Sequence, residues 1–298
     1  MGRVRRGLVL LQLLALVQSS GACTLVSNLD RFRQADAATD AAAGGGGKLG
    51  CGNARTLCLL LQDFSPHREH LVVVDVVSED GNLRARGQLD PLGDNPDAEV
   101  VMPLAIPSDE VPKAGAAHPL HLEIWGDASG DREYTPDEGA KGTVDHDWKV
   151  PLPNDARLVF AHNSAFKDLL PRPRPIGGDF ELKVTGFGLH AGRRFEVMVI
   201  EASTGRTVGL HRLAAIPDSG EFTVGIPGII DNGGVVYRVE YYADANGNGR
   251  YDPKDFTDHS WVIPAIESGA DGLHIERPHS GSGIELQTLT YQFAFQEK

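Results

Sequence analysis

Apolar positions along the chain come in short runs, and most of them suit strands. Cys58 to Leu61, Leu71 to Val77 and Glu99 to Ile106 are brief aliphatic or β-branched stretches. Phe180-Glu-Leu-Lys-Val184 alternates apolar with charged, as a strand with one buried face should, and Phe195 to Ile200 and Val235 to Tyr241 read the same way. Turn residues punctuate these runs: Glu79-Asp80-Gly81-Asn82, Ser203-Thr204-Gly205, Asp218-Ser219-Gly220 and Asp231-Asn232-Gly233-Gly234. A helical period is visible only weakly, near Ala165 to Leu170.

Much of the pattern occurs twice. Leu122 to Pro151 and Val239 to Pro264, aligned with one four-residue gap, share Glu123/Glu240, Asp127/Asp244, Ala128/Ala245, Gly130/Gly247, Tyr134/Tyr251 and Pro136/Pro253. Beyond the gap they share Asp145/Asp258, His146/His259, Trp148/Trp261 and Pro151/Pro264. Upstream, Phe64-x-x-His67 before LVVVDVV matches Phe187-x-x-His190 before FEVMVIE. The repeat length is that of a domain, which indicates duplication and not a short-period solenoid. Each copy has room for about seven strands at sandwich spacing. The predicted fold is all-β: two tandem Greek-key β-sandwiches, with immunoglobulin-like and transthyretin-like topologies both open. Residues 56–170 form the first copy, 171–178 a Pro/Gly linker and 179–298 the second.

The N-terminus carries a different message. Arg3, Arg5 and Arg6 precede an apolar core from Leu8 to Val17 and small residues from Ser19 to Ala22, the layout of a signal peptide over residues 1–22. That core is too short to span a bilayer, which takes about 20 apolar residues. Ser20-Gly21-Ala22-Cys23 resembles the lipobox of bacterial lipoproteins, which implies lipidation at Cys23; Ser20 stands where that family favours Leu or Val, and ordinary cleavage after Ala22 is the alternative. With three cysteines in the chain, lipidation of Cys23 leaves Cys51 and Cys58 as a possible disulfide, the other reading being a free Cys51 and an apolar, buried Cys58. Residues 23–55 include QADAATDAAAGGGG, too poor in apolar bulk to offset its ordering entropy, and read as a flexible tether. The expected location is the cell envelope, lipid-anchored on the extracytoplasmic side, or alternatively secreted.

Charge narrows the partners. The chain carries −13, and without its first 22 residues, which hold three arginines and no acid, −16. A field of that sign opposes nucleic acid, whose binding needs clustered cations. It suits cations, or serves solubility alone.

Chemistry concentrates in two loops. The second copy reads Asp244-Ala-Asn246-Gly-Asn248-Gly249-Arg250-Tyr-Asp252-Pro-Lys-Asp255, with side-chain oxygens at positions 1, 3, 5, 9 and 12 and glycine at 6. It resembles the calcium loop of EF-hands and dockerins. The resemblance implies ligation by Asp244, Asn246, Asn248, Asp252 and Asp255, with Arg250 offering its carbonyl. The first copy has Asp127, Ser129, Asp131, Glu133, Thr135 and Glu138, but Arg132 replaces the glycine, at a cost if φ must be positive there. The second loop should bind more tightly. The flanks look like strands, so neither a helix-pair switch nor cohesin binding is implied. Asp145 and Asp258 supply a further ligand or cap a turn. Trp148 and Trp261 read as core. The alternative for the loops is solvated Asx turns without metal.

Other candidates are thinner. His67-Arg-Glu69-His70 is not the helical His-Glu-x-x-His motif, and it and His190 read as structural or surface residues; His146 and His259 read as hydrogen-bonding residues, with a transition-metal role as the lesser alternative. His162 falls beside Asn163 in an apparent turn, with no visible catalytic partner. No nucleophile-elbow or phosphate-loop motif is present. The expectation is a non-enzymatic, envelope-anchored calcium-binding module for surface or periplasmic binding or adhesion, with a protein or glycan partner. An extracytoplasmic polysaccharide hydrolase with structural calcium, and a passive spacer without metal, are the alternatives.

Overall fold

The structure, a computed structural model, describes residues 56–94, 97–104, 112, 117–134, 145–163, 172–249, 251, 258–279 and 289. The signal segment, Cys23, the tether, Cys51 and the run near Ala165 lie outside them.

Among the described residues the first copy contributes β1 (Thr56–Gln62), β2 (Val72–Ser78), β3 (Leu83–Asp90), β4 (Ala98–Pro103), β5 (Leu120–Gly126), β6 (His146–Pro151) and β7 (Arg157–Ala161). The second contributes β8 (Gly178–Thr185), β9 (Phe195–Glu201), β10 (Thr207–Leu213), β11 (Phe222–Ile230), β12 (Val236–Ala243), β13 (His259–Glu267) and β14 (Gly272–Pro278). A 3₁₀ turn follows the first strand of each copy, at Ser65–His67 and Phe187–His190.

The strand orders are equivalent. β4-β1-β7 and β11-β8-β14 are the small sheets, each with an antiparallel and a parallel pairing around its first strand. The other strands of both copies form one eight-stranded sheet, β13-β12-β9-β10-β3-β2-β5-β6. Each copy is therefore a sandwich of strands 4-1-7 over 3-2-5-6. An immunoglobulin sandwich would group strands 1, 2, 4 and 5 against 3, 6 and 7; the order here is the transthyretin-like one.

Sequence pattern matches layer. β8, in an outer sheet, buries Phe180, Leu182 and Val184 and exposes Glu181 and Lys183. β2 and β9 lie within the long sheet and are buried on both faces; β2 reads as a nearly unbroken apolar run for that reason, whereas the pattern of β9 predicts one buried face and the structure buries both, because Glu196 is held against Arg212. The first core packs Leu57, Leu59 and Leu61 against Val72, Val74, Val76, Ile124 and Trp148; the second packs Phe180 and Leu182 against Val197, Val199, Tyr241 and Trp261.

The copies meet at β3 and β10, which pair in parallel from Arg86↔Gly209 to Asp90↔Leu213. Parallel edges relate the copies by a rotation about the strand direction, so the small sheets cover opposite faces of the long one. Side chains cross the joint accordingly: Leu83 of β3 belongs to the second core and Leu210 of β10 to the first. Gly209 leaves room for the second core, since a Cβ there would lie 2.3 Å from Ile229 Cδ1.

Two buried arginines lock the joint reciprocally. Arg86 donates to both oxygens of Asp75 at 2.6 and 2.8 Å, and its Nη1 donates to the Pro227 carbonyl of the other copy at 2.8 Å. Arg212 donates to Glu196 at 2.8 Å and to the Glu99 carbonyl at 3.1 Å. Between them His211 pairs with Gln88 at 2.9 Å. Burial foremost, then the Arg132 charge, pushes His211 down to about 3, so its 4.0 Å approach to Asp90 is not an ion pair at neutral pH.

The segment between the copies is stitched in. The Arg174 backbone bridges Asn82, Ile176 donates to the Gly228 carbonyl at 2.8 Å, and the Arg172 guanidinium lies 5.0 Å over Trp125 and 4.8 Å over Tyr134. Cys58 is disulfide-bonded.

Two tests address the joint. Arg212→Ala leaves Glu196 buried without its cation and should destabilise the fold by about 3–5 kcal/mol in a denaturant melt, whereas replacing both partners by apolar residues should recover most of that loss. His211 is neutral when folded and titrates near 6.5 when unfolded. Its contribution is complete above pH 6.5 and declines as pH falls toward about 3. His211→Asn should remove on the order of a few kcal/mol of acid sensitivity, read as a flatter plot of melting temperature against pH.

Candidate metal centres

Both acidic loops lie at one end of the molecule. β5 runs parallel to β3 and β12 parallel to β10, because each is reached through one intervening antiparallel strand. Since β3 and β10 are parallel, the loops after Gly126 and after Ala243 emerge at the same end.

Each loop begins on a buried aspartate. Asp127 and Asp244 are 1% and 2% exposed at the ends of β5 and β12, and their backbone N–H groups donate to Leu71 and Arg194 carbonyls at 2.9 Å. The Asp127 carboxylate accepts from Gly130 N at 2.6 Å and Arg132 N at 2.9 Å; Asp244 accepts from Gly247 N and Gly249 N, both at 2.7 Å, and from Asn248 N at 3.2 Å. The first acid thus curls the loop around itself by gathering the N–H groups of positions 4 and 6 in both loops and of position 5 in the second, while in the first Asp131 N donates to Ser129 Oγ. A carboxylate oxygen has two lone pairs, so these bonds leave acceptor capacity for a cation.

The closing aspartates face the same loops. Asp145 accepts from Ala128 N at 3.0 Å and Asp258 from Ala245 N at 3.0 Å, fastening the end of each loop to its start. Ser129 Oγ bonds Asp127 at 3.1 Å, Asp131 accepts from Glu133 N at 2.8 Å, and Asn246 accepts from Asn248 N at 2.9 Å. Arg250, Asp252, Asp255, Thr135 and Glu138 lie outside the described residues.

Position 6 is left-handed in both loops: φ is +79° at Gly249 and +67° at Arg132. The first copy therefore carries backbone strain that the second avoids. Arg132 holds an ion pair with Asp90 at 2.8 Å, but the guanidinium is largely exposed, so the pair offsets little.

Beside each loop three histidines converge. His67, His146 and His162 form one group and His190, His259 and His279 the other, with one nitrogen of each ring within 4.8 Å of the others. Three elements supply them: the 3₁₀ turn after the first strand, the first residue of the sixth, and the residue after the seventh. His146 Nδ1 lies 3.1 Å from His67 Nε2, and His259 Nδ1 lies 3.1 Å from His190 Nε2. Trp148 and Phe64 floor the first group, and Trp261 and Phe187 the second. Burial first, then neighbouring imidazoles, pushes His67 and His190 down to about 4. His146 and His259 are lowered by the same causes, and His162 by burial, against which the Asp63 charge acts.

The repeated motifs marked two of these histidines in each copy, without placing them together. His162 and His279 have no common sequence context, Phe160-Ala-His162 against Arg277-Pro278-His279, so only the fold assembles the trio.

Fold and sites together define a tandem transthyretin-like β protein with two kinds of candidate metal centre at one end. No protein-family model matches the chain, and no curated protein matches it. Among solved structures it is similar to the TIE protein of Bacillus anthracis, at 10% identity over 75% of this chain and TM-score 0.18, and spans 32% of that protein's length. It is also similar to a Bacteroides fragilis protein described as a candidate cell adhesion protein, at 11% identity over 72% of this chain and 81% of that one, TM-score 0.24. A Parabacteroides distasonis protein of like description shares 12% identity over 70% and 79%, TM-score 0.19. Superpositions this loose do not bear on function.

The strain at Arg132 yields a measurable consequence. Arg132→Gly should stabilise the protein by up to about 1 kcal/mol in thermal melts, the left-handed penalty removed outweighing the added chain entropy. A loss of stability would show that the Asp90 pair matters more than the backbone.

Proposed function

We propose that this protein is an envelope-anchored, non-enzymatic calcium-binding module whose two acidic loops form one cation-ordered surface for a protein or glycan partner. The observation carrying this reading is the buried first aspartate of each loop, which holds the backbone already curled with oxygen-bearing side chains around it. Calcium takes six to eight oxygens at about 2.3–2.6 Å, and the five oxygen-bearing positions of each loop, a backbone carbonyl and water are of that kind. Binding would offset the repulsion among the acids and order both loops together, at the end they share. The apolar leader, Cys23 and the glycine-rich tether support export and anchoring by lipid.

Melting the full chain with calcium and then with chelator tests the reading. Calcium should raise the melting temperature in proportion to the logarithm of its concentration once above the dissociation constant. Asp244→Ala should remove most of the response and Asp127→Ala a smaller share. Superimposable curves with and without calcium would defeat the proposal.

A further inference from the structure

The histidine trios are chemically distinct from the calcium reading and do not depend on it. We propose that each trio is a binding site for a borderline transition-metal dication of the zinc class, held by three imidazole nitrogens with a fourth position left to solvent or an incoming ligand.

Geometry comes first. Nitrogens bound to one zinc at about 2.0–2.1 Å stand roughly 3.3 Å apart at tetrahedral angles. The His67–His146 and His190–His259 nitrogens are already 3.1 Å apart, and the third ring of each trio lies within 4.8 Å. Modest side-chain rotation closes each triangle around one ion.

Duplication is the second observation. Six histidines from six separate elements assemble into two equivalent trios. In both copies the third histidine stands at the same point, directly after the seventh strand of its copy. Aliphatic side chains would fill the space at lower desolvation cost.

Donor type selects the ion. Neutral imidazole suits zinc, copper, nickel or iron and is a poor partner for calcium, which takes oxygen. The acidic loop next door is the converse set, and Asp145-His146 and Asp258-His259 place one member of each set on adjacent residues.

Access sets the coordination. His67 and His190 are buried, while the other two rings of each trio are half-buried, so the ion would face outward on one side. Three protein ligands and an open position are typical of zinc sites that exchange a ligand, whereas structural sites are closed by four.

The test uses the full chain in detergent, stripped with chelator and loaded with zinc or cobalt(II). Equilibrium dialysis should give about two zinc ions per chain, one per trio. Cobalt should show visible bands of tetrahedral intensity. His162→Ala and His279→Ala should each lower uptake to about one ion, and the pair should abolish it. His146→Ala and His259→Ala provide a second set should either of the first misfold by circular dichroism. Excess calcium should not displace the zinc, and Asp127→Ala with Asp244→Ala should keep it. No uptake by the folded chain, uptake unchanged in the histidine variants, or zinc lost with the loop aspartates would each overturn the proposal. Failure of the calcium reading alone would appear in the loop variants and leave zinc binding intact.

Discussion

A β-sheet edge with unpaired backbone groups is a liability, and each copy of this duplicated domain has one at its third strand. Pairing β3 with β10 removes both edges at once. The relative placement of the two copies follows from the choice of a parallel pairing. Antiparallel edges would have placed both small sheets on one face of the long sheet and sent equivalent loops to opposite ends. The parallel register puts the small sheets on opposite faces and brings the equivalent loops to one end. Arg86 and Arg212 fit this arrangement alone, since each pairs with an acid of its own copy and reaches a carbonyl of the other. Loss of either arginine would strand a fully buried carboxylate, so the joint resists partial opening.

The strands, the duplication and the loops were legible in the sequence because each depends on local pattern. Alternation at Phe180 to Val184 reports one buried face, and unbroken apolar runs at Val72 to Val77 report two. The first aspartate and the glycine at position 4 keep their spacing twice, because in each copy that carboxylate gathers the N–H groups of positions 4 and 6. The joint was not legible. Arg86 and Arg212 look like polar residues on ordinary strands, and nothing local says that each also reaches a carbonyl over a hundred residues away. The transthyretin-like order was also hidden, since it depends on which strands share a sheet and not on their lengths or spacing.

The histidine trios show the same limit at the level of chemistry. His67 and His146 are separated by 79 residues and His190 and His259 by 69, and no short motif joins them. Each was visible in a repeated fragment, Phe-x-x-His or Asp-His-x-Trp, and each fragment had an adequate structural explanation alone. The aromatic member of each fragment is indeed structural: Phe64, Phe187, Trp148 and Trp261 are buried in the two cores. Those rings fix the turn after the first strand against the start of the sixth, and that contact sets the distance between the histidines.

Adjacent residues connect the two kinds of centre. The side chain of Asp145 accepts from the loop backbone while the ring of His146, next in sequence, meets His67; Asp258 and His259 repeat this. Backbone that holds one side chain in place restricts the other, because the intervening peptide is planar and leaves few dihedrals to absorb a shift. β6, which begins at His146, is hydrogen-bonded along its length to β5, whose end opens the acidic loop. Oxygen-bearing and nitrogen-bearing side chains thus stand on adjacent residues at one sheet end in both copies, distinct in chemistry.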